Sequence, residues 1–418
     1  MKTKAVRLYG KEDLRLEEFE LPKIKDNEIL AKIVSDSICM SSYKAQKQGS
    51  DHKRVPEDIA VNPVIIGHEF CGEIIEVGNK WKDVYKPGQQ YSIQPALNYK
   101  GSLDAPGYSF KYIGGAATHI IIPPEVMEMG CLLPYKSKAY FIGSLAEPMS
   151  CIAGAMHANY HVKQGSYDHE MGIREGGAMA VLAGVGPMGL GMIDYTINCN
   201  RKPSLLIVTD IDDERLKRAE SIYTVQEAEK KGIKLIYLNT KELKDPVSTL
   251  RAYTDNTGFD DVFVMAPVGS VIEQGDRILA KDGCLNFFAG PTNSDFISFL
   301  NFYNVHYEGH HLVGTSGGNT DDMKEVLNMM AGGKINPVAL ITHIGGIDSI
   351  VETTKNLPNI PGGKKLMYTQ IDLPLTALDD FREKGKTNPL FARLADIIAK
   401  TNNLWSPEAE EYLLKNCQ

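Results

Sequence analysis

One stretch restricts what this chain can fold into more than any other: AMAVLAGVGPMGLGMIDYTI, residues 178–197. It reads as an apolar strand, a glycine turn and a helix. Gly184, Gly186 and Gly189 fit the spacing G-x-G-x-x-G, with Pro187 and Met188 between the last two. Such glycines make the turn, let the backbone approach a pyrophosphate, and allow the helix to pack on the strand. The phosphates then meet free N–H groups at the helix N-terminus, where the dipole favours negative charge. The next strand, SLLIVTD, ends in Asp210. A carboxylate there accepts hydrogen bonds from the adenosine ribose and repels a 2′-phosphate, which favours NAD over NADP. The alternative is an Asp that only caps the following helix.

The same alternation continues through DERLKRAE, IKLIYLN, DDVFVMA, SVIEQGDRILA and GCLNFFAG. This βαβ rhythm predicts a parallel, doubly wound α/β sheet over 153–310. A chain of 418 residues exceeds one ordinary core, and its first 152 residues read differently. EILAKIVSDSI, PVIIGHEFCGEIIEV, QQYSIQP and ATHIIIP are β-branched runs separated by Gly, Pro and Asn, which predicts a β-rich domain. From 311 to 370 the rhythm breaks, and the chain is expected to return to that first domain. The tail, 371–418, carries two helical patterns, with Ser406, Pro407 and Glu408 as a helix start.

The β-rich part carries Gly67-His68-Glu69, with Cys39 upstream and Glu147 downstream. A thiolate, an imidazole and two carboxylates form a mixed S/N/O donor set suited to a four-coordinate zinc that keeps a position open for substrate. A lone His-Glu pair can simply cap a strand; the donor set and the glycine turn together argue for a catalytic metal. Residues 100–115, KGSLDAPGYSFKYIGG, contain no cysteine, so this loop cannot hold a second, thiolate-bound structural zinc.

Composition excludes several classes. A net charge of −8 argues against a general nucleic-acid or anionic-membrane binder. No apolar run is long enough to span a bilayer and the N-terminus lacks an apolar leader segment, so the cytoplasm is expected. Seven scattered cysteines do not form a disulfide framework.

Cys39 followed by Ser41, then Gly67-His68-Glu69, Glu147-Pro148 and the three glycines in that order resemble the zinc-dependent medium-chain alcohol and polyol dehydrogenase family. Glutamate at 147 resembles the sorbitol dehydrogenase branch. The blocks NPVIIGHEFCGEI, PGYSFKYIGGAATHIIIP, NFYNVHY, VGTSGGNTDDM and GGKKLMYT resemble members that reduce phosphorylated ketoses. The resemblance implies a GroES-like catalytic domain, a Rossmann cofactor domain, one catalytic zinc, NAD(H) or NADP(H), and a homo-oligomer, dimer or tetramer. It implies interconversion of L-sorbose 1-phosphate and D-glucitol 6-phosphate. Cys39, His68, Glu69 and Glu147 match metal-ligand positions, the two glutamates serving directly in some members and indirectly in others. Ser41 matches the hydroxyl that passes the substrate proton. Where many relatives continue this turn with Asp and His, the chain has Ser42 and Lys44, which places Lys44 with Ser41 and Glu69 among the catalytic candidates.

A phosphorylated ketose needs a seat for its dianion, and the candidates are His52-Lys53-Arg54, Lys44 and Lys364-Lys365. His306, His310 and His311 read as structural histidines. Two other functions fit the same residues: a dehydrogenase of free polyols or of another secondary alcohol such as threonine, and a metal-free dinucleotide-binding regulator.

Overall fold

Apolar side chains at Ile29, Ala31 and Ile33 recur with the two-residue period of a strand, and those at Phe70, Ile74 and Val77 join them in one buried cluster with Tyr91 and Ile93. These residues order the β-rich part of the computed structural model, which describes residues 1–417. The chain divides into two compact units, Met1–Pro148 with the chain from Asn319 onward, and Met149–Gly318.

In the first unit the strands run Thr376–Ala377, Ile341–Gly346, Lys364–Tyr368, Ile29–Ile38, Phe70–Val77, Gln90–Ile93 and Leu132–Tyr135, with His119–Ile122 also paired to Ile29–Ile38. The register places Lys365 opposite Ile38 and Leu366 opposite Ser37. A strand from late in the chain therefore lies against the one that leads into Cys39. The tail belongs to this unit. Its helices Pro389–Ala399 and Pro407–Asn416 include the predicted start, where the Ser406 hydroxyl accepts from the Ala409 N–H. Trp405, Phe381 and Phe391 make a small aromatic core there, with Trp405 Nε1 donating to the Tyr368 hydroxyl at 2.8 Å.

The second unit is the predicted doubly wound sheet. Six parallel strands run Lys234–Asn239, Leu205–Asp210, Ala178–Leu182, Phe259–Val264, Leu279–Phe287 and His311–Gly314. In chain order this is 3-2-1-4-5-6, whose order reverses beside the first strand and opens a crevice at the strands' carboxyl ends. One boundary differs from the sequence reading. His311–Gly314, assigned above to the returning segment, pairs with Leu279–Phe287 and completes the parallel sheet; four residues with half their side chains exposed are too short to declare their sheet from pattern alone. Among the described residues no helix is long and apolar enough to cross a membrane.

Candidate active site

Cys39 follows the last residue of Ile29–Ile38 and occupies the N-cap position of the helix Met40–Gln48. Its backbone is extended and its side chain makes no cap bond, which leaves the sulfur available elsewhere. His68 and Glu69 lie just before Phe70–Val77. Gly67 sets their direction: its φ is +91°, and a Cβ there would fall 2.5 Å from an Asp36 carboxylate oxygen, so only glycine fits. Donor atoms of Cys39, His68 and Glu69 lie within 4.8 Å of one another.

The charges of this cluster are buried and partly balanced. The Lys364 ammonium donates to both carboxylate oxygens of Glu69, at 2.6 Å to Oε2 and closer to Oε1, and the Ser37 hydroxyl also donates to Oε2. Burial opposes the Lys364 charge, yet Glu69, Cys39 and Glu147 outweigh it and hold the ammonium above its ordinary value. Burial, with Glu69 beside it, pushes the Cys39 thiol up to about 11. Burial lowers His68 despite the opposing fields of Glu147 and Glu69, which keeps the imidazole neutral, the form that ligates.

This donor set fits a zinc ion. Sulfur, nitrogen and oxygen donors converge, and a dication here would be held by Glu69, the field of Glu147 and the thiolate that it would itself induce on Cys39. A neighbouring dication would bring the Cys39 thiol back to thiolate. Glu147, in the first turn of Ala146–Ala158, stands outside the three-donor cluster but acts through its charge on Cys39, His68 and Lys364.

Ser41 lies 3.7 Å from the Cys39 sulfur. The Ser42 hydroxyl lies 3.4 Å from His68 Nδ1, and the Tyr108 hydroxyl 3.3 Å from Nε2. Lys44, on the same helix as Ser41, acts through its charge on His52. Sequence reasoning missed Ser37 and Tyr108 and noted Ser42 only as a departure from relatives, because no spacing marks a hydroxyl whose partner is far along the chain. It also misjudged Lys364 and Lys365 as candidates for a phosphate. Lys364 is taken up by Glu69, and Lys365 Nζ donates to the carbonyls of Ile360, Pro361 and Gly363 at 3.1, 2.9 and 2.7 Å.

In the second unit the three glycines are distinguished by what a side chain would meet. A Cβ on Gly189 would lie 2.1 Å from the Gly184 carbonyl oxygen, and one on Gly184 would lie 2.8 Å from Val181, whereas Gly186 has nothing within 4 Å. Packing thus explains the outer pair but not the middle one. Gly186 is the N-cap of Pro187–Asn198 and offers no side-chain cap to the first N–H groups. Met188 sits in that first turn. Asp210 ends its strand and uses one oxygen, Oδ1, for the N–H groups of Ile211 and Asp212. The next helix is capped by Asp212, which accepts from Glu214 and Arg215. Asp210 is therefore not the helix cap.

Comparison with known proteins agrees with both halves. Residues 25–130 match the Alcohol dehydrogenase GroES-like domain family, and residues 187–332 match the Zinc-binding dehydrogenase family. The chain is 52% identical over 413 residues to mannitol-1-phosphate 5-dehydrogenase of Aliivibrio fischeri, covering 99% of this chain and 97% of that protein. It is 48% identical over 416 residues to L-sorbose 1-phosphate reductase of Klebsiella pneumoniae, covering 100% and 98%. In fold it is similar to 2R,3R-butanediol dehydrogenase from Bacillus subtilis, with a TM-score of 0.69 and 21% identity over 88% of this chain and 99% of that one. The chain belongs to the zinc-dependent medium-chain dehydrogenases, NAD(P)-linked enzymes built from a GroES-like domain and a Rossmann cofactor domain.

Proposed function

We propose that this enzyme interconverts L-sorbose 1-phosphate and D-glucitol 6-phosphate, using NAD(H) in preference to NADP(H) and one catalytic zinc per chain. The convergence of Cys39, His68 and Glu69 carries the chemistry, and the likeness to the sorbose 1-phosphate reductase carries the substrate. Cys39, His68, Glu69 and Glu147 would hold the ion, and Lys364 would steady Glu69. When bound, zinc supplies Lewis-acid polarisation of the ketone oxygen and the reduced nicotinamide supplies a hydride.

The chain's own residues do the rest. Ser41 donates a proton toward the developing alkoxide and recovers one from solvent, since a hydroxyl donates and accepts at once; Lys44 stands further along the same helix. Gly184, Gly186, Pro187, Met188 and Gly189 receive the pyrophosphate, and Asp210 the adenosine ribose. Association into a dimer or tetramer is supported by the exposed Phe299, Phe302, Tyr303 and Tyr307. The enzyme would act in the cytoplasm.

A second substrate pair is favoured by the likeness to a mannitol-1-phosphate 5-dehydrogenase. There the oxidised carbon is position 5 and the phosphate is at position 1, whereas sorbose 1-phosphate carries its phosphate beside the carbonyl. Rates of NADH and NADPH oxidation with L-sorbose 1-phosphate, fructose 6-phosphate and free L-sorbose separate these readings. The proposal expects the highest kcat/KM for L-sorbose 1-phosphate with NADH; an equal value for free sorbose would refute it.

A further inference from the structure

Positive charge gathers beside Tyr108. The Tyr108 ring stacks on His52, with centroids 5.5 Å apart and 5° between planes, and lies 5.9 Å from the Arg54 guanidinium carbon. Its other neighbour is His68, 4.9 Å between centroids. One buried tyrosine thus touches both a metal-donor residue and a basic group. Burial and then the fields of Arg54, Lys53 and Lys44 push half-buried His52 down to about 4, with no carboxylate among the principal groups acting on it. This runs against a chain whose net charge is −8.

Arg54 is anchored but not consumed. Its Nη1 donates to the Leu103 carbonyl at 3.0 Å, and its own carbonyl accepts from the Ser109 hydroxyl at 2.6 Å. Among the described residues no carboxylate pairs with Arg54 or Lys53. The other basic pair, Lys364 and Lys365, is spent on Glu69 and on three carbonyls.

Building on the sugar-phosphate reading above, we infer that Arg54, Lys53 and His52, with Lys44 from the helix Met40–Gln48, form the seat of the substrate's phosphate dianion. Arginine offers a planar fork to phosphate oxygens, and the lysines add charge. Tyr108, in contact with both His68 and this basic group, keeps the seat close to the metal donors.

The test compares the wild-type enzyme with Arg54→Gln, Arg54→Lys and Lys53→Gln, the last at an exposed position should the first two fold poorly. The readout is the ratio of kcat/KM for L-sorbose 1-phosphate to that for free L-sorbose. Loss of one charged contact should lower this ratio roughly tenfold to a hundredfold in Arg54→Gln, less in Lys53→Gln, with partial recovery in Arg54→Lys. A structural role would lower both rates and leave the ratio unchanged, which overturns the assignment. Calorimetric titration with inorganic phosphate keeps the two readings apart. If the wild type shows no preference for the phosphorylated ketose yet binds phosphate more tightly than Arg54→Gln does, the seat stands and the substrate reading fails. If the preference exists and survives both Gln substitutions, the seat is wrong and the substrate reading stands.

Discussion

Lys364 and Glu69, 295 residues apart in the chain, form a buried ion pair in which one ammonium contacts both oxygens of one carboxylate. The pair exists because Lys364–Tyr368 runs antiparallel to Ile29–Ile38, so that Lys364 arrives beside the end of that strand, next to Cys39. It supplies one fixed positive charge among acidic donors. That charge makes Glu69 tolerable when no other cation is near.

Removing one partner of a buried pair typically costs about 3–5 kcal/mol, because the other charge is left uncompensated. Lys364→Met should destabilise the first unit by that amount in chelator-treated protein. A dication on the donor set would offset part of the loss, so zinc-loaded protein should lose less. Denaturant unfolding with and without chelator checks this; equal losses in both would mean that no metal shares Glu69.

The glycine turn separates packing from ligand binding. Gly189→Ala drives a Cβ to 2.1 Å from a backbone oxygen, and should destabilise the second unit by about 3 kcal/mol, the upper end of the usual cost of a forced backbone shift. Gly186→Ala meets no atom within 4 Å, and should change stability by no more than about 1 kcal/mol, the cost of alanine at an N-cap. Its loss should instead appear in cofactor affinity. Thermal melts and NADH titrations of both variants decide.

The proposed preference for NAD(H) rests on Asp210. Asp210→Ser removes a charged acceptor for the ribose, an interaction of about 1.5–3 kcal/mol. KM for NADH should rise roughly tenfold to a hundredfold, while NADPH, freed from repulsion, should gain. Steady-state kinetics with both cofactors measure it, and an unchanged NADH to NADPH ratio would count against this role.

Another buried carboxylate, Glu410 in the tail, predicts a pH effect. It accepts from the Tyr140 and Phe141 N–H groups and from the Tyr368 hydroxyl. Burial nevertheless raises it from 4.5 to about 7, those hydrogen bonds opposing the rise. A raised acid means that the folded state holds the proton more tightly than the unfolded one. Stability should therefore fall as pH rises from about 4.5 to about 7, by roughly 3 kcal/mol, and level off above. Glu410→Gln should flatten this part of the profile, measured as unfolding free energy against pH. Because Glu410 holds the residues that lead into the helix of Glu147, the same variant should also weaken metal retention.

Much of this was legible in the residues. Local signals sufficed where one short segment dictates its own geometry: the glycine turn, the strand ending in Asp210, and the Ser406 helix start. The donors Cys39, His68 and Glu69 were readable because metal chemistry limits residue type. Illegible were the partners supplied by long-range register. Nothing near Lys364 in sequence says that it meets Glu69, and the tail pattern EAEEY does not distinguish buried Glu410 from exposed Glu411. The strand His311–Gly314 is too short for its pattern to name its sheet. Tyr108 lies in a segment that composition marks only as loop.

If Cys39, His68 and Glu69 share one zinc, ketose reduction should depend on that ion. Elemental analysis of the purified wild type and of Cys39→Ala, paired with NADH oxidation by L-sorbose 1-phosphate on the same samples, tests it most directly. About one zinc per chain is expected in the wild type, none retained in the variant, and turnover that disappears with the metal and returns when zinc is restored to the chelated wild type. Full turnover by wild-type protein free of zinc would contradict it.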